Sequence, residues 1–215
     1  MNELAAQPRP LIGVLAVQGA FSEHERPLYA VGADTVQVRT AEDLNGVEGI
    51  VLPGGESTTF GIVAGDSGLL DILRERLAAG LPVLGTCAGM IMLARATTGG
   101  AQPLIGGLDI VVRRNAFGRQ VHSFEVSLPV HAFGDPPVDA VFIRAPWIES
   151  AGDGVEILAT YAGHGVAARR DDMMVTAFHP ELSGELRFHQ WLVDRARGRR
   201  SSEAGEGKEG HVRAQ

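Results

Sequence analysis

The sequence predicts an α/β domain: a single three-layer sandwich with a mostly parallel central sheet and an antiparallel extension. Three observations predict it. Short, continuous apolar runs alternate with helical patterns through the first half of the chain, as strands buried on both faces do. Glycine-rich turns come after two of these runs, at Gly54-Gly55 and between Gly85 and Gly89, the arrangement found at the carboxyl edge of open α/β sheets. Beyond Thr97 the pattern changes to alternation broken by turn residues, which signals antiparallel pairing.

Leu11 to Val17 reads as the first strand, and Gln18-Gly19 turns the chain into a helix carrying Phe21, Leu28 and Val31 that closes at Gly32. Thr35 to Val38 is the second strand, after which Thr40 and Asp43 resemble a capping pair for a short helix. Gly49 to Leu52 is the third strand. An amphipathic helix is expected from Ser67, as its cap, to Ala79, with Gly80 as its stop. Val83-Leu84 enters the fourth strand, and Met90, Ile91, Leu93 and Ala94 form the helix after it. Residues 97–107 read as loop. Alternating segments come next at Gln120 to Leu128, Ala140 to Ile143, Glu156 to Tyr161, Gly165 to Arg169 and Met173 to Phe178, and a last helix runs from about Gly184 to Arg197. The domain is therefore placed at residues 11–197, between a polar N-terminal extension (1–10) and a polar tail (198–215) read as disordered.

Composition narrows the function. The 215 residues are 45% hydrophobic and 21% charged, the balance of an ordinary globular domain with a full core. A net charge of −7 argues against nucleic acid or an anionic membrane as the main partner. Neither a signal core nor a bilayer-length apolar run is present, so a cytoplasmic location is expected. The single cysteine excludes an intrachain disulfide framework, and the scattered histidines suggest no metal site. Lys208, in the tail, is the only lysine, so the core offers no amine for Schiff-base chemistry.

That one cysteine sits in Gly85-Thr86-Cys87-Ala88-Gly89, where a strand turns into a helix. A nucleophile on such an elbow needs small neighbours two residues before and after it. The helix start favours the thiolate, and the Ala88 amide points at whatever the sulfur attacks. A lone cysteine is more often a small buried hydrophobe, so the rest of the chain must supply a base and an orienting group. His179-Pro180-Glu181 offers both: two residues apart on an extended segment, the imidazole and carboxylate point the same way. In isolation this pair would read as a surface or capping pair.

Taken together, Leu52-Pro53-Gly54-Gly55-Glu56-Ser57-Thr58, Gly85 to Gly89 and His179-Pro180-Glu181-Leu182 resemble the class I (triad) glutamine amidotransferases, which share a flavodoxin-like sandwich. Within them, Ala16-Val17-Gln18-Gly19-Ala20, Arg114 to Gln120 and Phe142-Ile143-Arg144-Ala145-Pro146 are closely similar to the family of glutaminase subunits of pyridoxal 5′-phosphate synthase, over about residues 11–195. The resemblance implies Cys87 as nucleophile, His179 as base and Glu181 as its orienting carboxylate. It places Gly55, Glu56, Ser57, Arg114, Ile143 and Arg144 around L-glutamine. Amides at Gly54, Gly55 and Ala88 would form the oxyanion hole. No cofactor or metal is implied. The partner would be the synthase (lyase) subunit of a large hetero-oligomer, which receives the ammonia and switches the glutaminase on, with Gly54-Gly55 as the flexible donor and Gln18-Gly19 as the sensor. Two other enzyme readings, a histidine-pathway glutaminase and a γ-glutamyl hydrolase, conflict with the Arg114 to Gln120 motif. A non-catalytic binding module would not need His179 and Glu181.

Overall fold

The structure, a computed structural model, describes residues 8–117 and 123–209, the last eight in backbone only. In chain order the elements are β1 (Leu11–Leu15), α1 (Ser22–Ala30), β2 (Asp34–Val38), β3 (Gly49–Leu52), α2 (Ser57–Asp66), α3 (Leu69–Ala78), β4 (Val83–Thr86), α4 (Ala88–Leu93), β5 (Ala94–Thr98), β6 (Leu108–Arg113), β7 (Ser123–Leu128), β8 (Val138–Ile143), β9 (Trp147–Ala151), β10 (Glu156–Tyr161), β11 (His164–Arg170), β12 (Met173–Thr176), α5 (Pro180–Ser183) and α6 (Arg187–Glu209). The main sheet runs β2-β1-β3-β4-β12-β11-β9-β6-β5, with β10 paired to β11; β7 and β8 form a separate hairpin. Strands β2, β1, β3, β4 and β12 are parallel, and β11 begins the antiparallel extension. Helices α1 and α6 pack together as one outer layer, and α2 packs with α3 and α4 as the other.

The parallel core is apolar because crossover helices cover both its faces. Ile12, Val14, Ile50, Val51, Leu52, Val83 and Leu84 are all fully buried. The register of β4 with β12, Thr86 opposite Thr176, brings the ends of both strands to one edge of the sheet. Cys87 comes directly after β4, and its amide donates to the Thr176 carbonyl. After β12 the Thr176 hydroxyl donates to the Phe178 carbonyl (2.7 Å) and curls the chain. The His179 amide then donates to Val141 of β8.

Several expectations need correction. Ser67 does not cap the helix through Ala78: it closes α2, donating to the Ala64 carbonyl, and α3 starts after Gly68, whose φ of 73° only glycine adopts readily. Residues 57–66 carry two glycines and several β-branched positions, which is why no helix shows there by propensity. Packing decides instead, since Gly61 lies against the Pro103 carbonyl, 2.6 Å from where a Cβ would sit. Strands β5, β6 and β9 were not expected. β5 takes over from α4 at Ala94 with no glycine or proline to mark the change. The segment expected from Gln120 is seen from Ser123; Gly118, Arg119, Gln120 and the two residues after them lie outside the described residues. The last helix passes Arg197 and continues to Glu209. Arg197 donates to the Gly32 carbonyl and Arg200 pairs with Glu48, tethers that side chain spacing alone does not disclose. Residues 1–7 and 210–215 lie outside the described residues.

The tightest approach of a glycine to another backbone atom, among the described residues, lies at the elbow. A Cβ on Gly89 would stand 1.9 Å from the Leu52 carbonyl oxygen, whereas one on Gly65 meets nothing within 4 Å among the described residues. Gly89→Ala is expected to destabilise the domain by about 3 kcal/mol, lowering Tm by about 6–12 °C. Gly65→Ala, in the exposed end of α2, should be neutral or stabilising by about 0.5 kcal/mol. Calorimetry of the two variants checks this; equal Tm values would contradict the packing at Gly89.

Candidate active site

The site is built on the carboxyl edge of β3, β4 and β12. Cys87 has φ +48° and ψ −99°, a conformation that a residue with a Cβ holds only when its surroundings impose it, at a cost of about 1–3 kcal/mol. Both flanking glycines are needed. A Cβ on Gly85 would meet Gly89 at 2.8 Å, and Gly89 already touches Leu52. The elbow expected from the sequence is therefore real, and it brings the sulfur to the edge of the sheet with 7% of the residue exposed. Its thiol faces the Ile143 carbonyl at the end of β8, 3.9 Å away.

His179 and Glu181 meet, though not as residues of one strand. His179 is the N-cap of α5 and Glu181 lies in its first turn, so a helix start and not a β pleat aligns them. His179 Nδ1 stands 2.7 Å from Glu181 Oε1, and both side chains are buried. Burial alone would lower the His179 pKa. Its hydrogen bonds with Cys87 and Glu181, and the negative charge of both, outweigh burial and push it up to about 10. Burial alone would likewise raise the Glu181 pKa; the electrostatic pull of His24 and the hydrogen bond and charge of His179 hold it below the usual carboxylate range.

Cys87 and His179 open onto a cavity of about 230 Å³ that also exposes Gly54, Gly55, Glu56, Ser57, Arg114, Ile143 and Arg144. The sequence-derived residues thus converge, with two exceptions: Glu181 lies behind His179, and Ala88 is fully buried and outside the lining. Arg114 Nη2 and Glu56 Oε1 pair at 3.2 Å, a cation and an anion side by side as a zwitterionic amino acid requires. Glu56 also caps α2 through the Thr58 amide. Ser57 lines the cavity while donating its hydroxyl to Gln102 (3.0 Å). Ala20, Ile91 and Asn115 join the lining unforeseen; Asn115 has φ +47° in a tight turn beside Arg114. Phe117, packed edge-on against Phe124, Phe142 and Trp147, supports that turn. A larger recess, about 460 Å³, lies at the opposite end of the sheet beside Gly107 and Asp172, and its lining has neither a cysteine nor a histidine.

The glycine turn is held by the segment that follows β1. The Gly54 carbonyl accepts from the Ala20 amide (3.1 Å), and Gln18 brackets Glu56, donating to its carbonyl and accepting from its amide. No side chain fits at two of these positions. A Cβ on Gly54 would stand 2.3 Å from His179 Cε1, and one on Gly19 would stand 2.1 Å from the Gly54 oxygen.

The model of the SNO glutamine amidotransferase family matches residues 14–197 of the chain. The chain belongs to that family. Among its relatives, the pyridoxal 5′-phosphate synthase subunit PdxT of Frankia alni (strain DSM 45986 / CECT 9034 / ACN14a) is 59% identical over 187 residues, covering 86% of this chain and 94% of the relative. The protein of the same name from Carboxydothermus hydrogenoformans (strain ATCC BAA-161 / DSM 6008 / Z-2901) is 52% identical over 184 residues, 86% of this chain and 96% of the relative. A crystal structure of a glutamine amidotransferase superposes with a TM-score of 0.82 at 43% identity, over 86% of this chain and 98% of that one.

In this family member the His179 imidazole should titrate far above its ordinary 6.5. Because its folded pKa is raised, its contribution to stability is complete below about pH 6.5 and lost as pH climbs through about 10. NMR of the ring protons across pH 5–11 should place the His179 midpoint near 10, and Glu181→Gln should lower it. A wild-type midpoint near 6.5 would contradict the coupling to Cys87 and Glu181.

Proposed function

We propose that this chain is the glutaminase subunit of a pyridoxal 5′-phosphate synthase, hydrolysing L-glutamine to L-glutamate and ammonia with a Cys87-His179-Glu181 triad. The observation that carries the reading is the elbow cysteine facing a carboxylate-backed imidazole in a cavity that pairs Arg114 with Glu56. The names of the relatives, read across their near-complete coverage, supply the synthase. Residues 11–197 form the amidotransferase domain of this proposal, in a cytoplasmic protein, and the synthase partner assembles with it into a large hetero-oligomer.

The chemistry derives from the arrangement. Glutamine enters with its α-carboxylate toward Arg114 and its α-ammonium toward Glu56; Ile143 and Arg144 close the same end. The Cys87 thiol gives its proton to His179, the sulfur attacks the side-chain carboxamide carbon, and the oxygen takes up the negative charge, stabilised by amides of Gly54, Gly55 and Ala88. His179, cationic at that point, gives its proton to the leaving nitrogen; the C–N bond breaks and ammonia departs. A γ-glutamyl thioester is left on Cys87. His179 then takes a proton from water, the hydroxide adds to the thioester, and the C–S bond breaks to release glutamate. Throughout, Glu181 orients His179 and stabilises its charge.

The glycine turn is the element through which a partner would act. Its Gly54 carbonyl is tied to Ala20, and Gln18 holds Glu56, so a partner touching Gln18-Gly19 can reset the oxyanion donors. A missing donor costs about a hundred- to a thousandfold in rate, enough for a switch. Ammonia release is to be measured for the chain alone and with its synthase chain. The proposal expects slow release alone, a rise of about a hundredfold in the complex, and no release from Cys87→Ala in either setting, its fold intact by circular dichroism. Substantial hydrolysis by Cys87→Ala would overturn the triad, and equal turnover with and without synthase would overturn the switch.

A further inference from the structure

Two histidines that the mechanism does not use lie behind the triad. His24, on α1, and His189, on α6, are both fully buried and 165 residues apart in sequence. His24 Nδ1 stands 2.9 Å from His189 Nε2. The other nitrogen of His24, Nε2, stands 3.5 Å from Glu181 Oε1 and 3.3 Å from the Thr86 hydroxyl, next to the nucleophile. Oε1 is the same oxygen that faces His179, while Glu181 Oε2 and His189 Nδ1 have no hydrogen-bond partner among the described residues. We propose that His24 and His189 are positioning residues, a two-imidazole chain that holds Glu181 ionised and aimed at His179. This rests on the glutaminase reading above.

The contacts set the tautomers. Glu181 is a buried carboxylate with no lysine or arginine paired to it among the described residues, so its charge depends on N–H donors. A lone pair on His24 Nε2 would face an anionic oxygen and repel it. The proton therefore sits on Nε2, shared between Glu181 and Thr86. Neutral His24 then has its lone pair on Nδ1, which must accept from a proton on His189 Nε2. That leaves the lone pair of His189 on Nδ1, which makes no well-formed hydrogen bond among the described residues. Burial favours the neutral form of both rings. Burial lowers the His24 pKa; burial and then His24 lower that of His189 to about 3, against a smaller upward pull from Glu181 and the Glu185 backbone. Every donor in the row thus points toward Glu181. Two leucines could fill this volume without burying four ring nitrogens, so packing alone does not account for the pair.

The titratable groups facing His24 are Glu181 and His179 from the α5 turn, His189 from α6 and Glu23 from its own helix; Cys87 faces His179. Glu23 and Arg26 line the recess on the solvent side of Glu181. Removing the His24 donor makes Glu181 easier to protonate, so His179 loses part of its raised basicity. With the chain in its complex with synthase, His24→Leu should lower kcat by about ten- to a hundredfold, the range for one hydrogen bond to a charged group. KM for glutamine should stay within about twofold, and the alkaline limb of kcat/KM should move to lower pH. His24→Gln, which keeps an N–H donor near the Nε2 position, should recover most of the loss. Equal losses in both variants with an unmoved pH profile would overturn the proposal. Ring ¹⁵N NMR of the wild-type chain decides it without turnover: Nε2–H tautomers at both His24 and His189 are expected, and an Nδ1–H tautomer at either ring or an imidazolium at His24 would overturn it. Absence of hydrolysis by the wild-type complex would count against the glutaminase reading instead.

Discussion

The passage of the backbone through Cys87 is the constraint on which the rest of the site depends. The chain must leave β4, reverse its local conformation at a residue carrying a Cβ, and enter α4 against the Leu52 carbonyl. Strain of this kind persists only where neighbours over-determine the geometry. Here the register of β4 between β3 and β12, the Cys87-to-Thr176 backbone bond and the two glycines do so together. The same register sets the distance between the elbow and the turn that carries His179. Cys87 and His179 are thus placed by the ladder of the sheet, a rigid element, and not by mobile loops.

Electrostatics inside the site are governed by burial. An ionised carboxylate out of water is costly unless donors replace its hydration. Glu181 receives His179 on one side and faces His24 on the other, and this arrangement raises the basicity of His179. At the cavity mouth the opposite regime holds. Arg114 and Glu56 pair where solvent reaches them, so their pairing adds little to stability and leaves both free to exchange partners with a zwitterion. One end of the site is stiff and dry, the other adaptable and wet, as a hydrolase of an amino-acid amide requires.

How much of this was legible depended on whether chemistry or contact fixed each feature. The parallel strands showed as apolar runs, and the elbow showed through Gly85 and Gly89 because its steric demand falls on residues two positions away. Asp43, which accepts from the amides of Arg39 and Thr40, was also readable from its spacing. The proximity of His179 and Glu181 was legible, but its cause was not: extended spacing suggested a strand, and the structure uses a helix start at Pro180. The α2 helix and β5 were hidden because tertiary packing overrides weak propensity there. His24 and His189 gave no signal, since only the folding of α1 against α6 brings them together. Gln18 stood out as part of a motif, yet its two bonds to Glu56 span 38 residues and no local pattern encodes them.

The central claim is that Cys87 itself forms a covalent intermediate with the side-chain acyl group of glutamine. Mass spectrometry of the peptide containing Cys87, after acid quench of the chain turning over glutamine with its synthase, tests it most directly. The account predicts an adduct on Cys87 equal to glutamine less ammonia, present during turnover and gone once substrate is exhausted. Turnover with Cys87 unmodified throughout, or with the adduct on another residue, would contradict it.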